Sequence, residues 1–172
     1  MRLMVISLMT LNVLSFAAQG QDDIRDEKVV EDQILQSWQA ASSGDLDSVA
    51  LLDFGFSEDS RSQLEENVVA VASSDGGRWE LSTAAEQVRL LKSDDFELQV
   101  RPHDIHILLI GSEKDVAYAN YYLIGTISGS SIDVRNYHTR VSQVLEKIND
   151  KWVIRGAHYS PFMDAQGIPP AG

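Results

Sequence analysis

The chain has 172 residues, no cysteine and a formal net charge of −12 at pH 7. Absence of cysteine excludes a disulfide framework, a thiolate metal site and a lipid-anchoring cysteine, and the acidity disfavours nucleic acid or an anionic membrane surface as a partner. The acid excess is read as a solubility feature, and no basic stripe interleaved with aromatics occurs anywhere in the chain.

Residues 1–20 read as an export signal. Arg2 supplies a positive start, Leu3 to Phe16 form a mostly apolar run, and Ala18-Gln19-Gly20 offer small residues for cleavage. The run is shorter than the roughly 20 apolar residues that span a bilayer. A soluble domain over 21–163 is therefore expected, secreted or periplasmic, followed by a disordered tail over 164–172 that ends in Pro-Pro-Ala-Gly.

From Asp22 to Ser43, Ile24, Val30, Ile34, Leu35, Trp38 and Ala41 recur at helical spacing, with Gly44 just past the end. Asp45 then caps a short second helix through Val49 and Leu52. The stretch from Asp53 to Leu81 supports two readings. Ser60 to Gln63 fits a capping box ahead of a helix face at Leu64, Val68 and Val71, while Val69, Val71, Trp79 and Leu81 flank a turn-rich Ser73 to Gly77 as in a hairpin. Thr83 with Glu86 three residues on forms a further capping box that opens a helix to about Lys92.

The remainder is strand: Phe96 to Ile110, Val116 to Ile127, Ile132 to Lys147 and Lys151 to Ser160, rich in β-branched and aromatic residues and separated by turn signals. Short links make these an antiparallel meander. Helices first and strands last give an α+β domain with helices on one face of a sheet. Val116, Tyr122 and Ile124 alternate with Ala117, Leu123 and Ile127, so both faces of that strand carry apolar residues and the face away from the helices predicts a homodimer.

The long helix with its internal Trp38, the "ASSGDLDSV" turn, and the final hairpin carrying Arg140-Val141-Ser142, Glu146-Lys147, Lys151-Trp152 and His158-Tyr159-Ser160 resemble the SnoaL-like branch of the nuclear transport factor 2 superfamily. They are also similar to the association domain of calcium/calmodulin-dependent protein kinase II. The resemblance covers most of Ile24 to Phe162. It implies a cone, in which a strongly curved sheet wraps the long helix around a pocket for a small molecule and the convex face serves dimerisation. The sequence departs from that pattern in its Asn149-Asp150 turn and in showing no clear counterpart of the acidic base of the ketosteroid isomerases.

With Asn149-Asp150 as a two-residue turn, Val141 falls opposite His158 and Arg140 opposite Tyr159, on opposite faces. One bulge shifts the pairing by a residue and brings Arg140 and His158 together, and the resemblance, in which the matching pair lines the cone, favours that bulge. The expected ligand site is then Arg140, His158, Ser160, Trp38, Tyr121 and Tyr137. Arg140 needs a carboxylate, a ligand's or the protein's own; His158 can shuttle protons near neutrality; Tyr121 and Tyr137 can donate hydroxyl hydrogen bonds or simply pack. His103 and His106, three apart on a strand, are expected on opposite faces and so cannot share a metal. No metal or cofactor motif is present. The expected function is binding of a small anionic or polar-ended molecule, with a cofactor-free isomerase, dehydratase or cyclase using His158 and Tyr121 as the alternative. A strongly perturbed second titratable group inside the cone would separate the two.

Overall fold

A computed structural model of the chain describes residues 6–55, 66–72, 79–93, 96–130 and 132–162. Helix α1 (Ile6–Ser43) starts earlier than its apolar periodicity suggested and runs without a break through the expected cleavage point. Among the described side chains, those it buries begin further along, with Val30, Ile34, Ser37 and Ala41. No helix among the described residues is long and apolar enough to cross a membrane. The end of α1 is set by Gly44, whose φ of 76° is available to glycine at little cost. Its N–H reaches Ala41 O at 3.1 Å and the Asp45 N–H reaches Ala40 O at 2.9 Å, the paired bonds of a Schellman cap.

That turn delivers the chain directly into α2 (Leu46–Phe54), where Asp45 accepts hydrogen bonds from the Ser48 backbone at 3.1 Å and hydroxyl at 2.7 Å. After α2, the hairpin reading of the ambiguous stretch is the one realised. Strand β1 (Val68–Ala72) pairs antiparallel with β2 (Glu80–Thr83), so Val68 and Val71 lie on a strand and not on a helix face. The β-branched Val68, Val69 and Val71 suit a pleated, half-buried strand better than a helix turn. The proposed capping box at Ser60 to Gln63 and the turn at Ser73 to Gly77 lie outside the described residues, as does the expected disordered tail. Helix α3 (Ala84–Ser93) opens on the predicted reciprocal cap, with Thr83 N–H to Glu86 Oε2 at 2.8 Å and Glu86 N–H to Thr83 Oγ1 at 3.1 Å.

The four long strands follow: β3 (Phe96–Ile110), β4 (Val116–Gly129), β5 (Asp133–Ile148) and β6 (Lys151–Pro161). They form the expected antiparallel meander, and β1 adds to the far side of β6 in parallel, giving a six-stranded sheet of order β2-β1-β6-β5-β4-β3. The β5–β6 turn puts Asn149 at φ 50° and Asp150 at φ 61°, left-handed at both central positions as a type I′ turn requires.

Three register breaks bend this sheet, between His103 and His106, between Gly125 and Ile127, and opposite Val144 and Leu145. At the second, a Cβ on Gly125 would fall 1.9 Å from the Gln99 carbonyl oxygen, so only glycine allows the strands to approach. The core lies between the concave sheet face and the helices. Ala117, Ala119, Leu123, Val141 and Leu145 are buried there beside Val30, Ile34 and Phe54. Polar ties hold α1 across the sheet: Lys147 Nζ meets the Asp26 carboxylate at 2.9 Å, Gln33 Nε2 donates to Trp152 O at 3.0 Å, and Ser42 bridges the Val100 carbonyl and N–H at 3.1 and 3.3 Å.

Candidate functional site

The bulge in the β5–β6 hairpin decides which residues reach the concave face. Ile148 pairs with Lys151 and Leu145 with Ile154, but Val144 pairs with Gly156, which leaves Arg155 as the extra residue. Arg155 is held there by Glu146 Oε2 at 2.7 Å and by a short hydrogen bond to Asn67 Oδ1. Beyond it the parity of β6 reverses. Val141 now opposes Tyr159, Ser142 opposes His158 and Arg140 opposes Ser160.

Arg140 and His158 therefore do share a face, as the bulge required, but it is the outer face. Val141 and Gln143 on β5 are buried in the concave side, so Arg140 and Ser142 between them point out. Arg140 is exposed, donates to Ser160 Oγ at 3.1 Å and lies over the Phe162 ring at 5.5 Å. His158 is exposed against Trp79, with ring centroids 5.4 Å apart. The expectation that Arg140, His158 and Ser160 form the polar end of a pocket walled by Trp38 and Tyr121 is thus corrected by placement. The two sets are on opposite sides of the sheet. The same kind of correction applies to His103 and His106, since the break around Asp104 (φ 50°) pairs them with Tyr122 and Asn120 on one face.

Trp38, Tyr121 and Tyr137 are all in the cone. The Trp38 indole N–H donates to Tyr121 Oη at 2.8 Å, and Tyr121 is 3% exposed. Trp38 also meets Tyr159 edge to face at 6.4 Å. In front of these rings lies a pocket of about 110 Å³, lined by Trp38, Phe54 and Tyr159 and by aliphatic residues of β1 and β6. Its polar lining consists of Ser37, Asp53, Gln87 and Gln143, one from each of four elements.

Asp53 is the carboxyl group lining this pocket. It sits in the last turn of α2, four residues after the buried Val49, and so on the helix face that turns inward. Asp53 is half-buried, with its carboxyl at the pocket wall beside Ser37. Burial pushes that carboxyl up from 3.8 to about 7, against a smaller opposing pull from its hydrogen bond with Ser37. The Tyr121 and Tyr159 hydroxyls are driven upward too, first by burial and then by neighbouring groups that include Asp53, so both stay protonated at neutral pH. Gln143 hydrogen-bonds the Tyr159 hydroxyl, whereas its own Oε1 is buried without a partner in a residue only 4% exposed.

No family model matches the sequence, and no curated protein sequence matches it. Solved structures do match in shape. An NTF2-like protein of unknown function from Pseudomonas putida KT2440 superposes with a TM-score of 0.58 at 10% identity, over 87% of this chain and 97% of its own. An NTF2-like protein with a cystatin-like fold from Novosphingobium aromaticivorans gives 0.61 at 14%, over 87% and 90%. A third, from the same bacterium and provisionally named a scytalone dehydratase, gives 0.62 at 8%, over 88% and 97%.

The chain has the NTF2-like fold. At these identities the similarity carries the fold alone. Within the NTF2-like cone, sequence reasoning located Trp38, Tyr121 and Tyr137 and missed Asp53, Gln143 and Tyr159. A signal for Asp53 was available: a single acidic residue in "VALLDF", at the spacing that continues the buried face of an otherwise apolar helix. Gln143 carried none, because an amide in a strand reads as a solvent-facing residue.

Proposed function

We propose that the chain binds a small, polar-ended molecule in its cone, with Asp53 as the group that meets the ligand's polar end. One observation carries this reading: a buried carboxyl in an apolar, aromatic-walled pocket, with no basic side chain lining it among the described residues. Burying a carboxyl costs several kcal/mol when nothing compensates it, and structures retain such costs mainly at sites of function. The anionic ligand expected from Arg140 loses its basis, since Arg140 lies on the outer face. Size argues for a small ligand. A cavity of 150 Å³ takes one benzene, so about 110 Å³ admits at most one small ring or a short chain. The test is a library of such molecules screened by ligand-observed magnetic resonance against the wild type and Asp53→Asn. Hits lost in the variant support the reading, and equal binding to both removes Asp53 from it.

A second reading, a cofactor-free isomerase, dehydratase or cyclase, is favoured by the same carboxyl. A group titrating near 7 is half ionised at neutral pH and can both take and return a proton. Tyr159, held protonated beside it, can donate a hydrogen bond to a carbonyl or enolate oxygen. Asp53 takes the acid–base role earlier given to His158, and the dehydratase name of one structural neighbour is in keeping with that chemistry. On a substrate found by screening, Asp53→Asn would abolish turnover and His158→Gln would leave it unchanged. The reverse result would return the chemistry to the outer face.

A further inference from the structure

The hydrogen-bonding inventory of the pocket is unbalanced. Asp53 offers carboxylate oxygens, of which one interaction, with Ser37, is accounted for. Gln143 Oε1 is an acceptor buried without a partner, in a side chain more than nine-tenths buried. Trp38 spends its one N–H on Tyr121, and Gln87 Nε2 donates to Ser82 Oγ at 2.6 Å. The Tyr159 hydroxyl, bonded by Gln143, keeps one O–H to give, which is fewer donors than the Asp53 and Gln143 oxygens can accept, and no lysine, arginine or histidine among the described residues lines the pocket. The remaining wall includes the rings of Trp38, Phe54 and Tyr159, and an aromatic face attracts positive charge. The net charge of −12 adds a long-range pull of the same sign.

We propose that the molecule held in this pocket is a small cation, a primary or secondary ammonium on a hydrocarbon body of about one ring, pairing with Asp53 and donating to Gln143 Oε1. This rests on the pocket reading above and adds the charge class of the ligand. An ammonium brings two or three donors to a place where acceptors outnumber them. A carboxylate would add acceptors and negative charge. A neutral alcohol would bring one donor and leave the Asp53 charge uncompensated.

Ionisation of Asp53 links binding to pH. The groups facing it are Ser37 and Trp38 from α1, Gln87 from α3, Gln143 from β5, and the Tyr121 and Tyr159 hydroxyls from β4 and β6. None of these carries positive charge, and Tyr121 and Tyr159 are held neutral, so over pH 6 to 8 the change in site charge is that of Asp53 alone. A cation that binds the ionised form should tighten by about tenfold across that window.

Three isosteres test the assignment on the full chain: cyclopentylammonium, cyclopentanol and cyclopentanecarboxylate, titrated by calorimetry and by the Trp38 indole ¹H–¹⁵N resonance. The expected result is saturable binding of the ammonium that shifts the Trp38 signal, at least tenfold weaker binding of the alcohol, and none of the carboxylate. Asp53→Asn should weaken the ammonium by tenfold or more and abolish the pH dependence. Gln143→Leu, which keeps the carboxyl, should weaken it by a smaller factor and keep the pH dependence. If the alcohol or carboxylate binds as well as the ammonium and moves the Trp38 signal, the pocket reading stands and the cation assignment is overturned. If none of the three moves that signal, both fall.

Discussion

A carboxyl driven from 3.8 to about 7 by burial is also a statement about stability. The raised value means the folded state favours the protonated form. Its contribution is therefore fully present below pH 4 and is lost as pH rises through 7. The span corresponds to roughly 4 kcal/mol, at about 1.4 kcal/mol for each unit. Because the other carboxylates titrate in the same range, the difference between wild type and Asp53→Asn isolates this one. Urea denaturation at pH 5 and pH 8 should show the variant gaining on the wild type as pH rises, and an unchanged difference would mean that the carboxyl is well solvated. A second residue-scale test concerns the Trp38–Tyr121 bond of 2.8 Å. Tyr121→Phe leaves the indole N–H unpaired in the cone and should cost about 1–3 kcal/mol in the same denaturation experiment.

At the scale of elements, the hairpin bulge is the feature on which the site depends. Deleting Arg155 would restore an unbroken register and turn every residue from Gly156 to Pro161 to the other face, bringing His158 in and putting Tyr159 out. Such a chain should lose cooperative thermal unfolding, whereas Arg155→Ala, which keeps the extra residue and loses only its bonds to Glu146 and Asn67, should fold and melt a few degrees lower. Equal behaviour of the two would show that the bulge is not what sets the parity. The comparison also explains what could be read from the sequence. Strand extents in β3 to β6, the I′ turn at Asn149-Asp150 and the caps at Gly44, Asp45 and Thr83 each follow from local chemistry within a few residues. The bulge that brings Arg140 and His158 to one face is expected and occurs, but the side of the sheet they then share does not follow from pairing; the resemblance puts them in the cone, whereas the burial of Val141 and Gln143 on the concave side puts them outside. Asp53 was lost differently: a charge at the end of a short apolar helix resembles a helix stop as much as a site.

At the scale of the molecule, the outer sheet face exposes several large apolar side chains. Val68, Trp79, Leu81, Leu108, Ile110 and Val144 are all large and exposed, from 38% for Val144 to 78% for Leu81. Register places Leu108, Ile110 and Val144 on the same side as Val116, Tyr118, Tyr122 and Ile124, so they form a continuous strip across three strands. A strip of that kind is the usual mark of an interaction surface, and a two-fold dimer would set the strip against its own copy. A stable interface buries at least about 1,000 Å² in total, which a three-strand face can supply. A homodimer through this face should therefore give twice the chain mass by light scattering at micromolar concentration. Leu108→Glu, which places a charge in the strip, should give the single mass while shifting the stability of the isolated chain by no more than about 0.5 kcal/mol, as exposed substitutions usually do. Cone and interface lie on opposite sides of the sheet, so the same variant should retain whatever ligand binding depends on Asp53. A wild type that stays monomeric across that range, or a Leu108→Glu chain that stays dimeric, would place the contact elsewhere.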